Sequence, residues 1–201
     1  MATTLIVPGR GGSGPDHWQT WFEAQVPESR RVDGIDWDTP AIAAWSGAIV
    51  HAIDRSPEPV WLVGHSFGCL ASVLAASRRP ERVSGAMLVA PADPEFFDDS
   101  GLRDWSAEQN ILSPSIGRLL PRTTLPIPTL TLLSGNDPWM RLSTGLSWAH
   151  RWGGRALLLG QVGHINVESG HGRWPEGLEL FRRLRNAHAP LPLGDLDLCA
   201  G

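Results

Sequence analysis

With 201 residues, a hydrophobic fraction of 42%, a charged fraction of 19% and a net charge of -4, the chain has room for one sizeable core and no basic field to attract nucleic acid. All 17 basic residues are arginine, which excludes a Schiff-base lysine, a Walker-A lysine and a Ser-Lys dyad. No apolar run approaches the ~18 residues of a membrane span, and Met1-Ala2-Thr3-Thr4 leads into a strand pattern with no basic leader, so a cytoplasmic protein without membrane or nucleic-acid partners is expected.

The first apolar run, Leu5-Ile6-Val7, is followed by the loop Pro8-Gly9-Arg10-Gly11-Gly12-Ser13-Gly14. Gly9, Gly11 and Gly14 have the spacing of a dinucleotide-binding fingerprint, with Asp33 and Asp36 about twenty residues further on. In such a site the helix begins inside the motif and aims its N-terminus at the pyrophosphate. Here Gly14-Pro15-Asp16 starts the helix after the last glycine, so dinucleotide binding is the lesser alternative.

Trp18, Trp21, Phe22 and Gln25 step at helical spacing, as do Ile42, Trp45, Ile49 and Ile53, and a strand is expected between them over residues 32–35. Further strands are expected over 60–63, 83–89, 130–133 and 156–159, with helices over 69–77, 142–152 and 178–184. The strand runs are short and mostly unalternating, as strands buried on both faces are. Alternation of strand and helix gives an α/β fold: a mostly parallel sheet of about six strands with helices on both faces.

From residue 93 to 128 the chain is irregular and marked by Pro94, Pro114, Pro121, Pro126 and Pro128. A small cap with short helices over 102–112 and 115–120 is expected there. Residues 1–187 form one domain, and 188–201, with Pro190, Pro192 and Gly194, form a tail. Cys69 and Cys199 lie far apart and suggest neither a disulfide framework nor a metal cluster.

Between the strand Val60-Trp61-Leu62-Val63 and the helix that follows stands Gly64-His65-Ser66-Phe67-Gly68. A strand that turns abruptly into a helix presents the serine at the turn, and the flanking glycines remove the Cβ atoms that would clash. A serine hydroxyl is a poor nucleophile at neutral pH and needs a histidine base, which in turn needs an acid to orient it. Asp137, in Ser134-Gly135-Asn136-Asp137-Pro138, and His164, in Gly160-Gln161-Val162-Gly163-His164, each follow a strand, in the order serine, acid, histidine. Asp93, in Pro91-Ala92-Asp93-Pro94, is the rival acid. The N–H of Phe67 and that of Arg10 or Gly11 are the expected oxyanion donors. His171 lies seven residues from His164 but has no cysteine nearby, so no zinc site is expected.

These segments resemble the small serine hydrolases of the retinoblastoma-binding protein 9 and YdeN-like family, within the α/β-hydrolase superfamily. The resemblance is carried by Val7-Pro8-Gly9 with His17-Trp18, by Gly64-His65-Ser66-Phe67-Gly68-Cys69-Leu70-Ala71, by Val89-Ala90-Pro91-Ala92-Asp93-Pro94 and by Asn136-Asp137-Pro138. Its most distinctive block is Gly163-His164-Ile165-Asn166-Val167-Glu168-Ser169-Gly170, followed by Trp174-Pro175-Glu176-Gly177. It implies a compact α/β-hydrolase fold with a minimal cap and Ser66, Asp137 and His164 as nucleophile, acid and base. Phe67 and Trp139 replace the leucine and tyrosine common at those places.

The function expected is hydrolysis of a small carboxylic ester, or an amide or thioester, through an acyl-serine intermediate. No metal or cofactor is called for, and the partner is a small acyl substrate. The competing reading is a catalytically idle hydrolase fold that serves as a binding module.

Overall fold

Successive residues of a strand face opposite sides of the sheet, and here both sides are apolar. Leu5, Val7, Leu62, Ala86 and Leu88 enter one core, while Ile6, Val63, Met87, Val89, Leu130 and Leu132 enter another. Strands of that kind must lie between two helical layers. The computed structural model describes residues 2–103 and 113–186. Among them are eight strands: β1 (Thr4–Val7), β2 (Ser29–Arg31), β3 (Val60–His65), β4 (Val83–Val89), β5 (Phe97–Asp98), β6 (Gly101–Leu102), β7 (Thr129–Leu133) and β8 (Arg155–Leu158). Six of them form a sheet in the order β2-β1-β3-β4-β7-β8, and every pairing within it is parallel.

Helices α1 (Trp18–Gln25) and α5 (Pro175–Arg185) cover one face through Trp18, Phe22, Leu178 and Phe181. On the other lie α2 (Ile42–Asp54), α3 (Phe67–Arg78) and α4 (Leu142–Arg151), with Trp45, Ile49, Leu70, Val73 and Trp152 in the core. Helix α3 is buried from Phe67 to Ala76, because its small residues let it sit between the sheet and α2. The chain leaves β1 for the edge at β2 and returns to β3 on β1's other side. That reversal opens a crevice at the carboxyl ends of β1 and β3, where ligands of open α/β sheets bind.

Strand β2 occupies Ser29–Arg31 instead of residues 32–35. Pairing places Thr4 opposite Ser29 and Ile6 opposite Arg31, and the chain turns away at Gly34, whose φ is 75°. An edge strand can carry charge when the charge is satisfied: Arg31 reaches Glu23 at 3.0 Å and the Ser13 carbonyl at 2.5 Å. Strand β8 is the opposite edge and begins one residue early, at Arg155, whose side chain is exposed. Helix α5 starts at Pro175, whose fixed φ and missing N–H suit a first helical turn.

In the irregular segment, Pro94–Phe96 and Ile116–Arg118 form 3-10 turns, and Leu102 belongs to the β5-β6 hairpin where a helix was expected. The rest of that expected helix, residues 104–112, and the expected tail with Cys199 lie outside the described residues. Cys69 is buried and donates to the Val89 carbonyl. Among the described residues no helix is long and apolar enough to cross a membrane.

Trp45 is 1% exposed. It packs edge-on against both Trp37 and Phe67 with ring centres 4.9 Å apart. Its truncation leaves a cavity directly behind the Ser66 turn, so Trp45→Ala is expected to cost about 3–5 kcal/mol. Urea unfolding checks this by a lower midpoint with an unchanged slope.

Candidate active site

Strand β3 ends at His65 and helix α3 begins at Phe67, so Ser66 alone makes the turn. Its φ of 54° and ψ of -127° lie where L-residues are strained. Two contacts hold it there. The Ser66 N–H donates to the Val89 carbonyl of β4 at 3.1 Å. The first turn of α3 also lies so close to β1 that a Cβ on Gly68 would stand 2.3 Å from the Pro8 carbonyl oxygen and 2.4 Å from that of Val7. Across the crevice, a Cβ on Gly9 would stand 2.7 Å from the Ser66 Cβ. Both places therefore require glycine, and the β1 loop lies directly against the serine.

The structure brings together the three residues singled out at strand ends. Ser66 Oγ lies 2.9 Å from His164 Nε2, and His164 Nδ1 lies 2.8 and 2.9 Å from the two oxygens of Asp137. A carboxylate accepts only, so the imidazole proton sits on Nδ1 and Nε2 is free to accept from the serine hydroxyl. The Asp137 side chain is 2% exposed and also accepts the Trp139 N–H at 2.8 Å. Asp93 serves elsewhere: its carboxylate caps the turn Pro94–Phe96 by accepting the Glu95 N–H at 3.0 Å, and its burial raises its pKa.

Several further residues, none of them a candidate catalytic residue in the sequence, hold this geometry. Asn136 Oδ1 accepts the Gly163 N–H at 2.7 Å and the Ser134 hydroxyl at 2.9 Å, and Ser134 Oγ accepts the Val162 N–H at 3.0 Å. The acid-bearing turn thereby grips the histidine-bearing loop. His65 Nε2 donates to the His164 carbonyl at 2.9 Å, and Trp18 Nε1 donates to the next carbonyl, Ile165, at 2.8 Å. Buried Gln19 donates to the carbonyls of Val7 and Val63 and accepts from Ser13, tying the glycine-rich loop to β1 and β3. Trp18, His65 and Asn136 stand inside the segments that carry the resemblance, and Gln19 and Ser134 lie close to them, but the partners that reveal their roles are distant in the chain.

Among the described residues, the N–H groups of Phe67 and Arg10 have no hydrogen-bond acceptor, and that of Phe67 stands at the positive end of α3. Gly11 is withdrawn from the pair expected to supply the second oxyanion donor, because its N–H donates to the Trp37 carbonyl at 2.8 Å. The glycine-rich loop does not run into a helix: α1 begins at Trp18, with His17 as its cap. Its Gly9 and Gly12 line the serine crevice instead, a cleft of about 250 Å³ bordered by Arg10, His17, Phe97, Trp139 and Glu168. A larger cavity of about 410 Å³, between Arg118, Arg122 and Arg151, is lined by no histidine and no element of this constellation. Among the described residues no group of three or more histidines, cysteines and carboxylates could hold a metal ion.

The sequence matches the family described as Serine hydrolase over residues 4–183. Among solved structures, one described as a YdeN-like hydrolase, from Pectobacterium atrosepticum, is 32% identical, with 94% of each chain covered and a TM-score of 0.79. The ydeN gene product and the carboxylesterase CesB, both of Bacillus subtilis, are 14% and 15% identical, with TM-scores of 0.69 and 0.63. Those alignments cover 92% and 94% of this chain and 100% and 85% of the other. A search of curated proteins gave no significant match. The sheet order and helix layers are those of a compact α/β-hydrolase fold.

Two more histidines lie beside His164. Burial, then the charges of His164 and His17, hold His65 well below the usual histidine pKa. Burial, then Arg31, His164 and His171, lowers His17 to about 4. The unfolded chain therefore takes up protons below pH ~6.5 that the folded protein refuses, and stability falls as pH drops from about 6.5 towards 4. Each of the two histidines steepens that fall by up to about 1.4 kcal/mol per pH unit. Urea midpoints at pH 7 and pH 5 test it: His17→Asn is expected to lose less stability between them than the parent protein, and an equal loss would contradict the assignment.

Proposed function

The chain belongs to the serine hydrolase family, and from that premise we propose that it cleaves small carboxylic esters through an acyl-Ser66 intermediate. His164 Nε2 takes the hydroxyl proton as Ser66 Oγ attacks the ester carbonyl. Asp137 keeps the ring in the tautomer that accepts from serine and stabilises the imidazolium that forms. The N–H groups of Phe67 and Arg10 hold the oxyanion of the tetrahedral intermediate, with the α3 N-terminus adding favourable potential. The imidazolium then protonates the departing alkoxide. Water, deprotonated by the same nitrogen, attacks the acyl group and releases the acid and free Ser66.

The observation that carries this reading is the unbroken chain from Ser66 Oγ through His164 to Asp137, at 2.9 and 2.8 Å, drawn from the ends of three separate strands. The cleft of about 250 Å³ favours a small substrate. Amides and thioesters pass through the same acyl-enzyme. Esters come first because an alkoxide is expelled more readily than an amide nitrogen, and because the carboxylesterase CesB shares the fold.

Hydrolysis of p-nitrophenyl acetate and butyrate tests the proposal. Ser66→Ala and His164→Ala are each expected to lower kcat by about 10⁴-fold or more. A parent protein no faster than Ser66→Ala would overturn the proposal in favour of a binding module.

A further inference from the structure

The steps above leave His17 without a task, although it lines the cleft beside Ser66. Its orientation follows from the start of α1. As the residue before Trp18 it caps the helix, and its Nδ1 accepts the Gln19 N–H at 3.1 Å. A neutral imidazole that accepts at Nδ1 carries its proton on Nε2. His17 is 6% exposed, and among the described residues Nε2 has no hydrogen-bond acceptor. The ring is fixed in place, 4.9 Å from the His65 ring and 5.6 Å from the Trp18 ring. Because His17 borders the cleft, this rigidly held N–H is open to whatever enters there, and helix capping does not account for it, since an asparagine or serine would cap α1 equally well.

We propose that His17 is a substrate-positioning residue, whose Nε2–H donates to an oxygen of the substrate other than that of the scissile carbonyl. The inference rests on the acyl-Ser66 reading and narrows it to esters that carry a second oxygen acceptor, such as an ether, keto or hydroxyl oxygen. The surroundings suit a permanent donor. Burial, together with Arg31, His164 and His171, keeps the ring neutral at neutral pH. Its N–H is therefore always available, and it adds no positive charge that would weaken His164 as a base.

Two substitutions separate the two nitrogens. His17→Asn retains an acceptor near the Nδ1 position, and so the helix cap, but loses the donor into the cleft. His17→Gln places an amide N–H near the Nε2 position and loses the cap. The readout is the ratio of kcat/KM for p-nitrophenyl 3-methoxypropanoate and ethoxyacetate to that for p-nitrophenyl pentanoate, which has the same chain length without the ether oxygen. Comparing variants by this ratio cancels the intrinsic reactivity of each ester.

His17→Asn is expected to lower the ratio about 3- to 10-fold for at least one ether ester, mainly through KM, the size of one hydrogen bond. It should keep full labelling by a fluorophosphonate and a melting temperature near the parent's. His17→Gln is expected to melt lower but to keep the ratio. A ratio unchanged in His17→Asn for both ether esters, or equal losses on all three esters, would overturn the positioning role while leaving the Ser66 chemistry intact. A parent protein that neither labels nor hydrolyses any of the three would instead bring down the acyl-Ser66 reading, and this inference with it.

Discussion

The first turn of α3 lies against the last residues of β1 with no room for a side chain at Gly68. That approach fixes the rest of the crevice. It forces the chain to leave β3 and enter the helix within one residue, which puts Ser66 at φ 54°. It aims the Phe67 N–H outward from the helix end and brings the Gly9-Arg10 loop alongside the serine. Strain at one residue costs about 1–3 kcal/mol. The surrounding core offsets it readily: α3 is buried along most of its length, and the Ser66 N–H is anchored in β4.

The histidine side of the crevice is held by polar links as well as by packing of the buried Ile165. The loop after β8 is gripped by Asn136 and Ser134 from the acid-bearing turn, by His65 from β3 and by Trp18 from α1. Each link ends on a backbone N–H or carbonyl near His164, so together they set where the ring can stand. The same arrangement crowds His17, His65 and His164 into one corner, where burial keeps the first two neutral. Their lost protonation at low pH is the stability cost of keeping the corner free of competing charge.

Much of this was legible in the sequence where the controlling physics is local. Apolar runs on both pleat faces require a covered parallel sheet, and a serine between glycines at a strand-to-helix junction requires the tight turn that the structure has at Ser66. Asp137 and His164 were found because each follows a strand, and strand ends share one edge. The misplaced parts depended on partners distant in the chain. The strand expected over 32–35 stands instead at Ser29–Arg31, where Glu23 and the Ser13 carbonyl are placed beside Arg31. Gly11 reads as a free donor until Trp37 arrives from 26 residues away. His17 enters the sequence reading only through the pair His17-Trp18, and its place as the cap of α1, with Nδ1 engaged by the Gln19 N–H, emerges only in the fold.

The account stands on a covalent bond between substrate and Ser66. Rapid-quench mass spectrometry of the intact protein during turnover of p-nitrophenyl butyrate, followed by peptide mapping, looks for that bond directly. The account predicts a transient gain of one butyryl group, confined to the peptide that contains Ser66 and decaying as the substrate is exhausted. Steady hydrolysis with the acyl group absent throughout, or carried on another residue, would contradict it.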